Sequence, residues 1–242
     1  VILAIFLLPF VYTISPYQLD PTKILQAPSF EHLFGTDRLG RDMFARVLNG
    51  GQTSLIIGFL AASISSIVGL FIGINAGYFK GNIDKTITIM IDLFLTFPTF
   101  FLLLALVSYI QASALILIIV ISITSWMGMA RMIRSESFAI GNKPFIKILK
   151  VANVSTFKII FKYFAPLLAP IFLISFTFGV GGSILAESGL SFLGLGINPP
   201  SMSWGSLLSD VKAVIDIAWW VSFFPGLMIF LITFCLIQIS DY

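Results

Sequence analysis

Residues 53–77 read TSLIIGFLAASISSIVGLFIGINAG, twenty-five positions inside the uncharged run between Arg46 and Lys80. A helix rises about 1.5 Å per residue, so roughly 20 apolar residues cross the ~30 Å hydrocarbon core of a bilayer. This stretch is long enough and carries no charge. The rest of the chain agrees: of 242 residues, 58% are hydrophobic and only 10% charged, where soluble domains carry about a quarter charged. Mean hydropathy is +1.03. Such a chain cannot clothe a water-facing surface. Twenty-five Phe against a single Cys also exclude a disulfide scaffold. The expected class is an all-α, polytopic membrane protein.

Five further runs of the same kind flank the first. They are Val1–Leu19 (most apolar over Val1–Ile14), Thr86–Val107 with Asp92 inside it, Ala114–Ala130, Ala165–Ala186 and Ala218–Ile239. The uncharged stretch Leu93–Ala130 is too long for one helix, and its polar centre, Ser108–Ser113, reads as a tight turn. Six spans are expected, the first reading as truncated. Continuous apolar runs fit helices, which satisfy their own backbone hydrogen bonds in lipid, and not the alternating strands of a membrane barrel. The reading is one transmembrane domain over residues 1–242, with a core at about 53–242 and a distinct element at 142–164.

Basic residues distribute unevenly. The even-numbered loops hold Lys80, Lys85, Arg131, Arg134, Lys143, Lys147, Lys150, Lys158 and Lys162, nine of the 14. The odd-numbered loops hold Lys23, Arg38, Arg41, Arg46 and Lys212, balanced by six carboxylates. By the positive-inside rule the even loops and both termini face the cytoplasm.

Three loops carry more than solvation requires. In Met132–Phe164, lysines alternate with Phe138, Phe145, Ile146, Ile148, Leu149, Val151, Phe157, Ile159 and Ile160. Asn142 and Pro144 are fit to open a short helix. Asn153 is fit to close it in a left-handed turn, and Ser155 or Thr156 to start another. Two roles stay open on these residues alone: an interfacial hairpin anchored to anionic lipid, or a docking element with apolar knobs for a soluble partner. The first outer loop reads Phe34-Gly35-Thr36-Asp37-Arg38-Leu39-Gly40-Arg41-Asp42. There Thr36 or Asp37 is expected to start an interfacial helix, with Arg38–Asp42 as an i,i+4 pair. The last outer loop, Glu187 to Pro200 and on to Trp204-Gly205, is broken by glycines and by Pro199-Pro200. A folded-back segment packed against protein is expected, with Trp204 at the lipid–water interface.

Taken together, Gly35–Asp42, Ser191-Phe192-Leu193-Gly194-Leu195-Gly196 with Pro199-Pro200 and Trp204-Gly205, and the Asp92…Pro98 pair resemble one family over essentially the whole chain. It is the inner-membrane permease subunit, "C" type, of binding-protein-dependent ABC importers for oligopeptides, dipeptides and nickel. The resemblance marks Gly35, Asp37, Gly40, Arg41, Asp42, Ser191, Phe192, Gly194, Gly196, Pro200 and Trp204 as the outer-loop motif. It implies that Pro144, Phe145, Ile146, Lys147, Ile148, Leu149, Asn153 and Thr156 form the element that docks an ATPase. The family's Glu-Ala-Ala segment, following Gly and Leu-Pro fall here on Lys147-Ile148-Leu149, Asn153 and Ala165-Pro166. Asn is the next-best residue to Gly for a left-handed turn, so the geometry survives. Without the Glu, docking is implied but no particular salt bridge. Implied partners are a homologous second permease, two ATPase subunits, an extracytoplasmic substrate-binding protein and membrane lipid, in a bacterial cytoplasmic membrane.

The chain lacks a Gly-x-x-x-x-Gly-Lys-Ser/Thr phosphate loop, so no cofactor is expected on it, and ATP with Mg²⁺ belongs to the ATPases. No nucleic-acid partner and no catalytic constellation are expected. Asp92 and Glu187 lie at or near membrane depth, which makes them candidates for the pathway or a gate. Their bland alternatives are a partnered carboxylate and an anchor for the Ser191–Gly196 fold. His32, the only histidine, is expected on the surface, and Cys235 is expected to pack. Peptide is the expected cargo, with nickel or a metal chelate as the alternative, towards which Asn142-Lys143-Pro144 is similar. An autonomous channel or secondary carrier is the competing class, for which inverted repeats or several buried charges are the usual signs.

Overall fold

The computed structural model describes residues 1–110, 112–211 and 214–240. Lys212, Gln111 within the expected Ser108–Ser113 turn, and Asp241-Tyr242 lie outside the described residues. Among the described residues the α-helices are, in chain order, α1 Ile2–Val11, α2 Met43–Phe79, α3 Gly81–Leu95, α4 Thr99–Ser108, α5 Ala114–Gly141, α6 Pro144–Val151, α7 Thr156–Ile159, α8 Ala165–Phe192, α9 Trp204–Asp210 and α10 Trp220–Ser240. Among the described residues the sole β feature is an isolated bridge between Thr36 and Asp42.

Among the described residues four helical stretches are long and apolar enough to cross a membrane: α2, α5, residues 156–192, and α10. The third expected span is broken. Its halves, α3 and α4, meet at 76° and count as a fifth crossing if taken together. The cause is local, because Pro98 disfavours the helical conformation at Phe97 and has no N–H of its own. The first expected run yields the ten-residue α1, shorter than a crossing requires.

Helix α2 has 37 residues, about 55 Å of helix, so it projects beyond the apolar core at its N-terminal end. It starts at Asp42, whose carboxylate accepts from Ala45 N–H at 2.8 Å, and not at Thr36 or Asp37. The aspartate is a cap because its short carboxylate can accept an N–H of the first helical turn. Helix α5 likewise continues past the expected end at Ala130 to Gly141. Arg131 and Arg134 are therefore helical and not loop residues. Arg134 holds Asp84 with both guanidinium ends and Arg131 holds Asp92, which ties α3 to α5.

The most extensive helix pair is α2 against α5. Its seam is a stripe of Gly69, Gly73 and Gly77 on α2, every fourth residue, so the stripe stays on one face. A Cβ on Gly73 would lie 2.7 Å from the Ala130 carbonyl oxygen, and one on Gly77 would lie 2.5 Å from Ser137 Cβ. Lipid offers apolar side chains no less than a partner helix does, so close backbone approach is what holds such helices together. Between α7 and α8, Ile160–Phe164 forms a single π turn. It lies just ahead of Pro166, whose ring would meet the Lys162 carbonyl in a regular helix. Residues 156–192 thus remain one helical rod through that adjustment. Gly73→Ala should destabilise the protein in detergent by about 1–3 kcal/mol. Gly128→Ala, with open space around it, should not. Equal stability of both variants in a denaturant titration would refute the glycine seam.

Candidate functional site

The described bundle has two chemically distinct ends. At one end α6 stands as a short basic helix. Pro144 occupies its first position, where a missing N–H is harmless. The cap is Lys143 and not Asn142; Asn142 instead ends α5 and accepts from Lys80 Nζ at 2.6 Å. The helix closes through a pair of backbone bonds, Val154 N–H to Leu149 O at 3.1 Å and Asn153 N–H to Lys150 O at 3.1 Å. Asn153 adopts φ +53°, the left-handed conformation expected of it, which completes a Schellman turn.

This geometry sorts the α6 side chains. Ile146 is fully buried with Ile140, Ile159, Phe164, Ile133 and Tyr78, and Leu149 packs against the same cluster. Phe145, Ile148 and Val151 point outward, with Ile148 67% and Val151 84% exposed. Lys147 and Thr156 are exposed too. The Tyr78 hydroxyl donates to Thr156 Oγ1 at 3.4 Å, and Lys150 Nζ sits 4.0 Å from the Tyr78 ring centroid. Apolar knobs thus project among lysines from a helix whose opposite side is locked into the bundle.

At the other end Asp37, Arg41, Asp42, Ser191 and Trp204 of the outer-loop motif fall into two clusters, whereas Phe192, Gly194 and Pro200 join neither. The first is built around Glu187, which is fully buried. Ser54 Oγ donates to its Oε2 at 3.1 Å and Ser191 Oγ to its Oε1 at 2.6 Å. Behind each serine stands the start of α9: Trp204 N–H donates to Ser54 Oγ at 3.1 Å, and Ser203 Oγ reaches Ser191 Oγ at 3.5 Å. One carboxylate therefore fastens α2, α8 and α9. Helix α9 is capped by a reciprocal Ser203–Ser206 pair. Trp204 is not at the lipid interface. It is fully buried, and its indole N–H donates to Val47 O at 2.9 Å.

The turn after α8 is a second Schellman closure, with Leu195 N–H on Leu190 O at 3.0 Å and Gly194 at φ +85°. Ser191 and Phe192 are thus helical, and the folded-back segment begins only at Leu193. Gly196 lies against Ser191, Pro200 is exposed, and the Pro199–Pro200 peptide is cis.

The second cluster is ionic. Asp37 Oδ1 accepts from Leu39 N–H at 2.8 Å and Arg41 N–H at 2.9 Å, and its Oδ2 accepts from Arg41 Nε at 2.7 Å and from Arg46 Nη1. Arg46, 4% exposed, continues to Asp210 of α9 at 3.2 Å. The i,i+4 pair is Asp37–Arg41, while Arg38 reaches Asp210, because the chain turns at Gly40 and does not enter a helix. A Cβ on Gly40, at φ +72°, would lie 1.8 Å from the Asp20 carbonyl oxygen. Asp42 is held by Tyr12 Oη at 3.0 Å and His32 Nδ1 at 2.8 Å. His32 is accordingly buried, not a surface residue. Gly35 is pressed against Trp220, whose indole N–H donates to Thr36 O at 3.1 Å.

Asp92 joins neither cluster. It is exposed on α3 and paired with Arg131. Arg46, Asp210, Ser54 and Ser203 also belong to these clusters, although none was expected there. A charge at the head of a long apolar run was the available signal for Arg46, while the serines gave none. Asp37→Asn should cost about 3 kcal/mol or more, since it leaves the buried Arg46 with only its distant partner. A loss under about 0.5 kcal/mol in the detergent-solubilised protein would remove Asp37 as the hub.

Comparison with known proteins accords with this architecture. The model of the family "binding-protein-dependent transport system inner membrane component" matches residues 69–242. The chain is 36% identical over 242 residues to the dipeptide transport system permease protein DppC of Alkalihalophilus pseudofirmus, covering all of this chain and 79% of that protein. It is 33% identical over 243 residues to the oligopeptide transport system permease protein OppC of Haemophilus influenzae, covering 100% of this chain and 78% of that one. Among solved structures, an inward-facing MetNI methionine ABC transporter chain superposes with a TM-score of 0.66 at 15% identity, covering 82% of this chain and 96% of that chain. That likeness is one of fold. A multi-pass membrane protein of this sequence and architecture belongs to the binding-protein-dependent transport system inner membrane component family.

Proposed function

We propose that this chain is one of two permease subunits of an ATP-driven importer that moves di- or oligopeptides inward across a bacterial cytoplasmic membrane. The observation that carries the reading is the outward apolar face of α6. Phe145, Ile148 and Val151 stand exposed between Lys143, Lys147 and Lys150, at the end of the bundle that the charge distribution assigns to the cytoplasm. Such a face fits a groove on a soluble partner. Peptide as cargo is supported by relatives named dipeptide and oligopeptide transport system permease proteins.

In this reading the chain is non-catalytic and holds no cofactor. Nucleotide and Mg²⁺ belong to two partner ATPase subunits, whose closure displaces α6. Ile146 and Leu149 lock α6 to the bundle, so displacement passes as a rigid-body movement into residues 156–192. At the far end of that rod Glu187 carries the movement to α9 and the outer loops, where a substrate-binding protein docks. The pathway then alternates between inward and outward access as nucleotide state shifts the equilibrium. Glu187 serves as an anchor at the gate and Asp92 as a brace of α3, not as substrate ligands.

Affinity purification of the tagged chain, expressed with the products of its neighbouring genes, tests the assembly. The wild type should bring down a second permease and the ATPases. Phe145→Asp with Ile148→Asp should lose the ATPases and keep the permease. Recovery of the wild type alone, with every neighbour expressed, would contradict the importer. Asn153→Val should also weaken ATPase retention, since a β-branched residue at positive φ costs about 1–2 kcal/mol, whereas Asn153→Gly should retain it. Equal retention by both would show that the Schellman turn does not set the docking geometry.

A further inference from the structure

Between the first outer loop and α9 lies a cleft of about 690 Å³. Its charged lining consists of Arg38, Arg41, Arg46 and Asp210. Asp37 sits behind this wall, 3% exposed, with both oxygens already occupied by Leu39, Arg41 and Arg46. Asp42 is turned away and held by Tyr12, His32 and Ala45. Three guanidinium groups are therefore left to share Asp210. They do so at 3.2 Å from Arg46, 3.4 Å from Arg38 and 3.7 Å from Arg41.

Well-formed charge-assisted N–H···O bonds are about 2.7–2.9 Å, so Asp210 holds all three weakly; Arg41 and Arg46 are also held by Asp37, and Arg38 has Asp210 alone. Counting Asp37, the cluster holds three positive and two negative groups, an excess of one positive charge. Arg46 Nε, buried, has no hydrogen-bond partner. The Arg38 side chain is 49% exposed and holds Asp210 through Nη2 alone, at 3.4 Å, a weak contact that a planar, bidentate anion can replace. The floor is rigid, since Asp37 and Arg46 fix it to α2 and Ser191 belongs to the Glu187 cluster.

We propose that this cleft receives a carboxylate side chain, Asp or Glu, from the substrate-binding protein, with Arg38 and Arg41 as its contacts. The proposal rests on the importer reading above and adds to it the place and charge of the docking contact. The binding protein is favoured over the peptide's own carboxylate because the cations sit on the first outer loop and at the head of α2. They rim the end of the bundle and do not line its helical interior. A positive rim of this kind chiefly accelerates encounter and fixes register.

The test uses the complete complex in lipid nanodiscs and the binding protein encoded beside it. Affinity and association rate are measured at low and near-physiological salt for the wild type, Arg38→Gln and Arg38→Lys. Because Arg38 is half exposed, the variants should assemble normally, which gel filtration of the complex checks. Arg38→Gln should weaken binding about fivefold at low salt, mostly through slower association, and flatten the salt dependence. Arg38→Lys should restore most of the rate. Unchanged affinity and salt slope in Arg38→Gln would overturn the proposal. So would unchanged binding-protein affinity with a raised KM for peptide uptake, which would assign the cleft to the peptide carboxylate. A wild-type complex that assembles with its ATPases yet binds no such protein would overturn this proposal and leave ATPase docking standing. Failure of that assembly would instead count against the importer reading itself.

Discussion

The Glu187 carboxylate sets the terms for the outer half of this molecule. A carboxyl group with no exposure to solvent is tolerated only when its oxygens are satisfied, and here each oxygen takes a serine hydroxyl. Those serines come from α2 and α8, and they pass the connection on to Ser203 and Trp204 at the start of α9. The indole of Trp204 fills the space over Gly51, and α9 delivers Asp210 to Arg46. Remove the carboxylate and the serines point at nothing, α9 loses its seat, and the ionic cluster loses its third wall.

Rigidity elsewhere makes that anchor consequential. The glycine seam brings α2 and α5 to backbone contact, and Asp84 and Asp92 brace α3 against α5. The rod of residues 156–192 connects the α6 region to Glu187 without a loop, because the π turn absorbs Pro166 while keeping the helix continuous. A push at one end has few places to dissipate before it reaches the other. Close-packed interfaces of this kind switch between arrangements and do not deform gradually, which is the behaviour an alternating-access permease requires.

Much of this was legible from residue order, and for identifiable reasons. Long charge-free runs dictate helices because lipid leaves the backbone no other partner. Asn153 was readable as a left-handed closure because so few residues accept positive φ. Outcomes set by tertiary choice were not readable. Asp37, Arg38, Arg41 and Asp42 allow several pairings at helical spacing, and the turn at Gly40 selects another one. Trp204 has the amphipathic character of an interfacial residue, but the gap above Gly51 and the Val47 carbonyl, which takes its indole N–H, claim it for the interior. His32 was unreadable for the same reason, since nothing local announces that Asp42, ten residues on, must be partnered. The break at Pro98 was visible as a proline inside a span, yet the angle it imposes depends on how α4 packs on α5.

The central claim is that this chain serves transport powered by separate ATPases. It is tested most directly by reconstituting it with the second permease, the ATPases and the binding protein in proteoliposomes and following labelled di- and oligopeptide across the membrane. Peptide should accumulate above the equilibrium concentration, in the direction of the ATPase-bearing side, only with hydrolysable ATP and only with the binding protein present. Equilibration of peptide without ATP, or through this chain alone, would contradict it and make the protein a channel or carrier.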